Sequence, residues 1–419
     1  MKEMLKFLPA LLLLGLCSCE QKEMENLAVV ASVDSQNNML SVKDKTIDLV
    51  KSFKVSLVNS SEEMTKSDLS QDNITINDCE KTTYHFSFDN ITTRSNIQIP
   101  DTASIDLYLV NFHEADGTPG YSIVTADERI NKVYLYSKGE IGDTAKIYPL
   151  ACVVKSIPSV LKKDLVKYYL DPTSKTQSRG LITTYGPHIN THWDQEYPYN
   201  YKCKAYPELN NDVDLRGHAP AGCSTIATAQ TVTYYGKFKS NYTYNFFRLR
   251  SDARIDPSNS EMVSQVSQLC SEIAYGIGVD WGVDETNLPD PRKISTYLSN
   301  KHGYTTETWN DENVDIVKMA NNIIRGNVHI TAGMRKSPIS GHVWIWDGVQ
   351  INPLTFEVTM VHCNWGQGNY NEYNNGGYYN DSWFTPATME QPDKNLQPYF
   401  DDNVQIYITD YQYNPGPIG

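Results

Sequence analysis

A glycine and a cysteine stand together in the stretch Ala221-Gly222-Cys223-Ser224-Thr225-Ile226-Ala227-Thr228-Ala229-Gln230. A helix that begins at Cys223 presents unpaired backbone N–H groups and partial positive charge to the thiol, and both stabilise a thiolate. Gly222 lets the backbone turn tightly and lets a substrate approach, and the N–H of Cys223 is a candidate oxyanion donor. The alternative is a buried, inert cysteine that packs one end of the helix.

A thiolate nucleophile needs a base from elsewhere in the sequence. Among the nine histidines, His342 is the strongest candidate, because Gly341-His342 opens an apolar strand, V-W-I-W, after a loop that contains proline. A histidine at the mouth of a strand points into a cleft more easily than one within the strand. The alternative is a surface histidine at a strand end.

A third group is expected to orient the imidazole. The segment His362-Cys363-Asn364-Trp365-Gly366 offers Asn364 as the acceptor of the His342 N–H and Trp365 as a cover against water. Strand alternation places His362 and Asn364 on one face and Cys363 on the other. His362 is a rival base, but we identify no orienting partner for it in the sequence.

Three blocks, G-C-S-T-I-A-T-A-Q, G-H-V-W-I-W-D-G and H-C-N-W-G-Q-G-N, occur in this order and resemble blocks of the streptopain family of bacterial papain-like cysteine peptidases. The segment T-H-W-D-Q-E-Y-P-Y-N, residues 191–200, resembles that family's W-x-Q-x-x-P-Y-N segment. The resemblance implies that Cys223, His342 and Asn364 form the catalytic group, and that the Gln195 amide joins the Cys223 N–H in the oxyanion hole. It also implies a cleft lined by three further residues, namely Gly222, Gly341 and Trp365.

The resemblance extends upstream, where Y-S-I-V-T-A-D-E-R, residues 121–129, is similar to a strand of the family's propeptide. It implies a zymogen in which residues 19–179 form a tether and inhibitory prodomain, and residues 180–419 form the catalytic domain. The polar stretch D-P-T-S-K-T-Q-S-R-G, residues 171–180, predicts an exposed linker that is cut after Arg179 or Lys175.

Three departures from the family pattern affect the expected substrate subsites. Ser224 and Thr225 replace an apolar–small pair, Gln367 stands where a second tryptophan is usual, and an acidic loop occupies residues 283–290. Asp347, in W-D-G, is expected to form a turn before Gly348; electrostatic tuning of the site is the alternative.

The N-terminus predicts export and lipid attachment. Lys2 and Lys6 precede an apolar run, Phe7 to Leu14, that is too short to span a bilayer. The run ends in L-C-S-C, which is typical of bacterial lipoprotein signals. We therefore expect a signal peptide at residues 1–18 and lipidation of Cys19. The resemblance to the streptopain family, whose members of this lipoprotein type come from Gram-negative bacteria, implies a location in the outer membrane or on the cell surface, from which the mature catalytic domain is released. The alternative is an ordinary secretory signal.

Composition and periodicity complete the expectations. The net charge of −14 argues against nucleic acid as a partner, and no motif indicates a metal or another cofactor. Alternating strands are predicted at residues 105–110, 121–124 and 133–136, and a helix at residues 157–170. After residue 220 helices come first and strands follow, which predicts an α+β, papain-like fold, a helical subdomain followed by an antiparallel sheet, behind an α+β prodomain.

The sequence therefore predicts a cysteine endopeptidase that acts on protein or peptide substrates. Its expected partners are its own prodomain as inhibitor, a separate proteinaceous inhibitor, and the membrane through the lipid alone. Two alternatives remain open: a catalytically silent, lipid-anchored surface binding protein on the same fold, and an amide-transfer enzyme that uses the same acyl-enzyme.

Overall fold

The computed structural model describes residues 34–58, 74–88, 99–172, 182–311, 315–336, 339–369, 378–379, 381–389 and 402–408. In these residues the helices are α1 (Asp34–Val58), α2 (Tyr148–Leu170), α3 (Cys223–Tyr235), α4 (Phe246–Ser251), α5 (Ser260–Ile277), α6 (Arg292–His302) and α7 (Ile316–Ile324). The strands are β1 (Ile74–Ser87), β2 (Thr102–Glu114), β3 (Pro119–Ala126), β4 (Asn131–Lys138), β5 (Thr183–Tyr185), β6 (Thr306–Asp311), β7 (His329–Lys336), β8 (Ile339–Ile351), β9 (Val358–Asn364), β10 (Gly368–Asn369), β11 (Tyr378–Tyr379), β12 (Ser382–Phe384) and β13 (Asp402–Ile408). The mixed helices and antiparallel strands confirm the predicted α+β class.

One sheet runs through the described structure in the strand order β1-β2-β3-β4-β12-β9-β8-β7-β13-β6, with β5 paired to β8. All its pairings are antiparallel. The short strand β12 joins the two halves, because Ser382, Trp383 and Phe384 pair with β4 on one side and with β9 on the other. The N-terminal strands β1 to β4 therefore belong to the same hydrogen-bonded sheet as β8 and β9, which carry His342 and Asn364.

Strand β8 separates two hydrophobic cores by the alternation of its side chains. Val343 and Ile345 face the core formed with α3, α5 and α6. Trp344 and Trp346 face the other core, which also contains N-terminal residues such as Leu150 of α2. The second core therefore packs the N-terminal half against β8, which carries His342, and against Trp365, which follows β9.

The helix boundaries follow from local signals. Helix α3 ends at Gly236, which adopts the left-handed conformation with φ +61° that glycine accommodates best. Asn259 caps α5 by accepting from the Met262 N–H, and Asp315 caps α7 by accepting from the Lys318 N–H. The three strands predicted upstream are confirmed within β2, β3 and β4, whereas α2 begins nine residues earlier than predicted.

Several predictions lie outside the described residues. These are the signal peptide, the lipidation site Cys19 and the cleavage position Arg179. The sequence boundary between residues 179 and 180 falls in the same undescribed segment. Among the described helices, none combines the length and the apolar character that a membrane-spanning helix requires.

Candidate active site

Cys223 is the first residue of α3, as predicted, and Gly222 before it has φ +88°. A Cβ atom at position 222 would lie 3.0 Å from the backbone oxygen of Thr286 and 3.1 Å from its Cγ2 atom. The Thr286 hydroxyl in turn donates to the Pro220 carbonyl at 2.6 Å. The acidic loop therefore packs directly on the nucleophile turn, and only glycine combines the required φ with this close approach.

Burial controls the ionisation of the Cys223 thiol. It raises the thiol pKa, and the nearby Glu285 carboxylate raises it further, while backbone N–H groups of Val343, Ser224 and Cys223 itself oppose the rise. The donation from Val343 brings the thiol to the residue that follows His342. With its pKa above the ordinary value, Cys223 is a neutral thiol at pH 7 in this structure.

His342 is buried near the start of β8. Its Nε2 atom lies 2.8 Å from the Trp365 carbonyl oxygen. A carbonyl only accepts, so Nε2 carries the proton and Nδ1 is the basic nitrogen when the ring is neutral. Burial lowers the pKa of His342 to about 4, against the opposing effect of the Trp365 carbonyl. The imidazole is therefore neutral at pH 7 and presents Nδ1 as a proton acceptor.

Asn364 has different partners from those that the sequence predicted. Its Oδ1 atom accepts from Gln230 Nε2 and from the Gly366 N–H, both at 3.1 Å, and its Nδ2 atom donates to the Thr191 carbonyl at 2.8 Å. Asn364 lies opposite Ile345, on the side of the sheet that α3 covers. The neighbouring Cys363 faces the other side, where Trp344 contacts His342. The sequence predicted that the Asn364 side chain accepts the His342 N–H. In the structure, the Trp365 carbonyl accepts it.

The segment that contains Gln195 lies beside the nucleophile turn. The Gln195 carbonyl accepts from the Ala221 N–H at 2.7 Å, and the Trp193 N–H donates to Gln230 of α3 at 3.1 Å. Trp193 is fully buried and stacks on Tyr199 with ring centroids 5.5 Å apart. These contacts hold the backbone of the half-buried Gln195 against Ala221, two residues before Cys223.

His362, the rival base, forms a buried hydrogen-bonded pair with Asp347. Its Nδ1 atom lies 2.6 Å from Asp347 Oδ1, and the other Asp347 oxygen accepts from the Ile189 N–H at 3.1 Å. The prediction that His362 has no orienting partner is wrong, because the fully buried Asp347 provides one. Nor did the sequence indicate that His192 Nδ1 lies 2.5 Å from Asp381 Oδ2. Neither pair has a sequence signal, since the partners come from separate segments.

The remaining candidate metal ligands and cysteines can be placed in the described part of the chain. There, no group of three or more His, Cys, Asp or Glu side chains is arranged to hold a metal ion. The six described cysteines, Cys79, Cys152, Cys203, Cys223, Cys270 and Cys363, are all free thiols. Four of them are buried, whereas Cys79 and Cys223 are half-buried.

Mixed helices and an antiparallel sheet, with a cysteine at the start of α3 and a histidine on β8 next to the residue that donates to the thiol, are typical of papain-like cysteine peptidases. The model of the Peptidase C10 family matches residues 193–374. The matched segment contains Gln195, Cys223, His342 and Asn364. The match confirms the resemblance to the streptopain family and supports a cysteine peptidase.

The chain also compares with solved structures and with curated proteins as follows. The chain is similar to the structure of active wild-type interpain A cysteine protease from Prevotella intermedia, with 16% identity and a TM-score of 0.39 over 53% of this chain and 94% of that chain. In the comparison with curated proteins nothing matches.

Proposed function

We propose that the chain is a cysteine endopeptidase made as a zymogen, with Cys223 as nucleophile and His342 as base. One observation carries the proposal. The Cys223 thiol sits at the N-terminus of the buried helix α3 and accepts from the N–H of Val343, while the preceding residue, His342, has its Nε2 proton engaged by Trp365. The arrangement leaves Nδ1 as the nitrogen that can take the thiol proton.

The reaction is acyl transfer to water. His342 Nδ1 accepts the proton of Cys223, and the thiolate attacks the scissile carbonyl. The Gln195 amide and the Cys223 N–H stabilise the oxyanion, and losing one such donor costs about 2.7–4 kcal/mol in the activation barrier. The imidazolium then protonates the leaving amine, and a water molecule activated by His342 releases the acyl group as an acid. Asn364 acts as a positioning residue that fixes Trp365 through its bonds to Gln230 and Gly366.

The ionisation of the site supports a latent resting state. A papain-type pair holds the thiol pKa at about 3–4, whereas burial here raises the pKa of Cys223 and lowers that of His342 to about 4. Opening the cleft to water would relieve the desolvation that opposes both charged forms. We propose that cleavage at residues 171–180, after Arg179 or Lys175, and displacement of residues 19–179 produce this opening.

The proposed location is a lipid-anchored precursor in the outer membrane, attached through Cys19, which is outside the described residues. The lipoprotein-like L-C-S-C motif supports this proposal. Labelling of the expressed chain with a radioactive fatty acid tests it. Incorporation that disappears in Cys19→Ala supports the anchor, and equal incorporation in both chains contradicts it.

The catalytic assignment is tested with Cys223→Ser in the full chain. The variant should fold, fail to be processed, and fail to cleave casein. Cys79→Ser is the matched control, because Cys79 is a half-buried free thiol on β1, and it should process and cleave as the wild type does. Undiminished casein cleavage by Cys223→Ser would contradict the assignment.

A second candidate function is a catalytically silent binding protein on this fold, and the neutral thiol and imidazole favour it. Alkylation of Cys223 distinguishes the two. After processing, an enzyme should react with iodoacetamide well below the unperturbed cysteine pKa of about 8.5, and a silent binding protein should react only near it. Amide transfer is tested by adding a primary amine to the reaction. A transfer enzyme would attach the amine to the acyl product, whereas a peptidase releases that product as a free acid.

A further inference from the structure

Hydrogen bonds on two sides of Trp365 relate the base to the N-terminal strand β4: the Trp365 carbonyl contacts His342, and the Trp365 indole contacts β12 and, through it, β4. His342 Nε2 donates to the Trp365 carbonyl at 2.8 Å. The Trp365 indole N–H donates to Ser382 Oγ at 3.2 Å, and Ser382 Oγ lies 2.8 Å from Ser137 Oγ. Ser137 is in β4, Ser382 is in β12, and both are fully buried.

The direction of each bond can be assigned from the partners. Ser137 Oγ donates to the Lys138 carbonyl at 3.0 Å, which uses its single hydroxyl proton. The bond between the serines is therefore donated by Ser382 and accepted by Ser137. The bonds from the Trp365 indole through the Ser382 hydroxyl to Ser137 then point in one direction, and hydrogen bonds that share a hydroxyl in this way polarise and strengthen one another.

Trp365 has little freedom to move independently of Ser382. The indole is fully buried and stacks on Phe384 of β12 with ring centroids 5.9 Å apart and an interplanar angle of 13°. Its N–H would be left without this acceptor if Ser382 were shortened, and a buried unsatisfied donor drives a local shift. A shift of Trp365 displaces the carbonyl that fixes the tautomer and orientation of His342.

We propose that Ser382 is a positioning residue for the base, acting through Trp365, and that Ser137 of β4 makes this positioning depend on whether the N-terminal half is docked. Of these bonds, only the Ser137–Ser382 bond crosses from β4, so removal of β4 alters the bond farthest from His342 while leaving Cys223 and His342 untouched. The inference rests on the proposed roles of Cys223 and His342.

The main test compares Ser382→Ala, Trp365→Phe and the double variant in the full chain. The rate of Cys223 alkylation by iodoacetamide is measured from pH 4 to pH 10, and kcat and KM for a peptide are measured after processing. We expect each single change to slow alkylation at pH 7 and to lower kcat about tenfold, with KM changed less than about threefold. The double variant should be no slower than either single variant.

The matched control is Thr331→Val, because Thr331 Oγ1 accepts from the indole N–H of Trp346 at 2.9 Å in the same core. It removes a similar buried bond that does not lead to His342, so its alkylation profile should equal that of the wild type. Circular dichroism identifies any variant that fails to fold. If Ser382→Ala is unfolded, Trp365→Phe alone carries the test.

The arm that concerns β4 uses Ser137→Ala, with Ser122→Ala as control, since Ser122 is a buried serine of β3 that donates to the Leu135 carbonyl at 2.8 Å. In the full chain Ser137→Ala should slow alkylation about threefold, and the control should not slow it. A wild-type rate in Ser137→Ala beside a slow Ser382→Ala would refute the dependence on β4.

Failure of this inference can be told apart from failure of the proposed function by including His342→Ala. If wild type and His342→Ala give the same alkylation profile, the proposed base is wrong. If those two differ while Ser382→Ala and Trp365→Phe match the wild type, or if the double variant shows additive losses, the base stands and the positioning role of Ser382 is overturned.

Discussion

The buried histidine His329 should make the protein lose stability steeply in acid. His329 lies on β7, is fully buried, and packs against Tyr407 with ring centroids 4.2 Å apart. Burial, together with the smaller effect of the nearby Lys318 charge, lowers its pKa from the ordinary 6.5 to about 3. Because the folded state holds the neutral ring, the contribution is fully present above pH 6.5 and is lost progressively as the pH falls from 6.5 towards 3.

The size of the loss follows from the two pKa values. At pH 5 the unfolded chain binds the proton and the folded protein does not, so the folded state loses about 1.4 kcal/mol per pH unit below 6.5. Between pH 7 and pH 5 this amounts to about 2 kcal/mol from His329 alone. His329→Phe, which keeps an apolar ring against Tyr407, should remove that part of the pH dependence.

The assay is urea unfolding of the catalytically inactive Cys223→Ser chain at several pH values, with His329→Phe added to the same background. Thr331→Val is the control, since it removes a buried hydroxyl from the same strand and introduces no titrating group. Its free-energy difference from the background should be equal at pH 7 and pH 5. A His329→Phe difference that is likewise independent of pH would refute the reasoning.

Three further predictions concern the site. Gly222→Ala should lower kcat/KM at least about tenfold, because φ +88° and the 3.0 Å approach of Thr286 strain any side chain there; an unchanged peptide assay would contradict this. Gln195→Ala should reduce kcat about 10²–10³-fold with the fold intact by circular dichroism, and a change confined to KM would count against an oxyanion role. Gly348→Ala should lower the melting temperature, because its Cβ would lie 2.8 Å from His362 Cβ. An unaltered melting curve would contradict this, because it would show that His362 and Asp347 move to accommodate the added methyl group.

The sequence predicted the nucleophile turn well because its signals are local. A positive-φ glycine before Cys223, a helix that follows it and a closing Gly236 depend on a few neighbouring residues. The strands within β2, β3 and β4 were also predictable, since alternation is visible within one strand.

The partners of Asn364 and His362 could not be predicted because they depend on the register between strands. Alternation correctly separated Asn364 from Cys363, but it did not show that His342 and Cys363 both contact Trp344, on the side away from Asn364. The pairing of β12 with β4 could not be predicted from the sequence either, because strand order is set by contacts between distant segments.

The central claim is that Cys223 and His342 become an ion pair when the N-terminal half is displaced. It is tested most directly by the pH dependence of Cys223 alkylation, measured by mass spectrometry before and after processing at residues 171–180. We predict a single labelled site, slow labelling at pH 7 in the full chain, and fast labelling in the processed form with a midpoint well below pH 7. A processed form that labels with a midpoint near the unperturbed cysteine value of about 8.5 would contradict the claim.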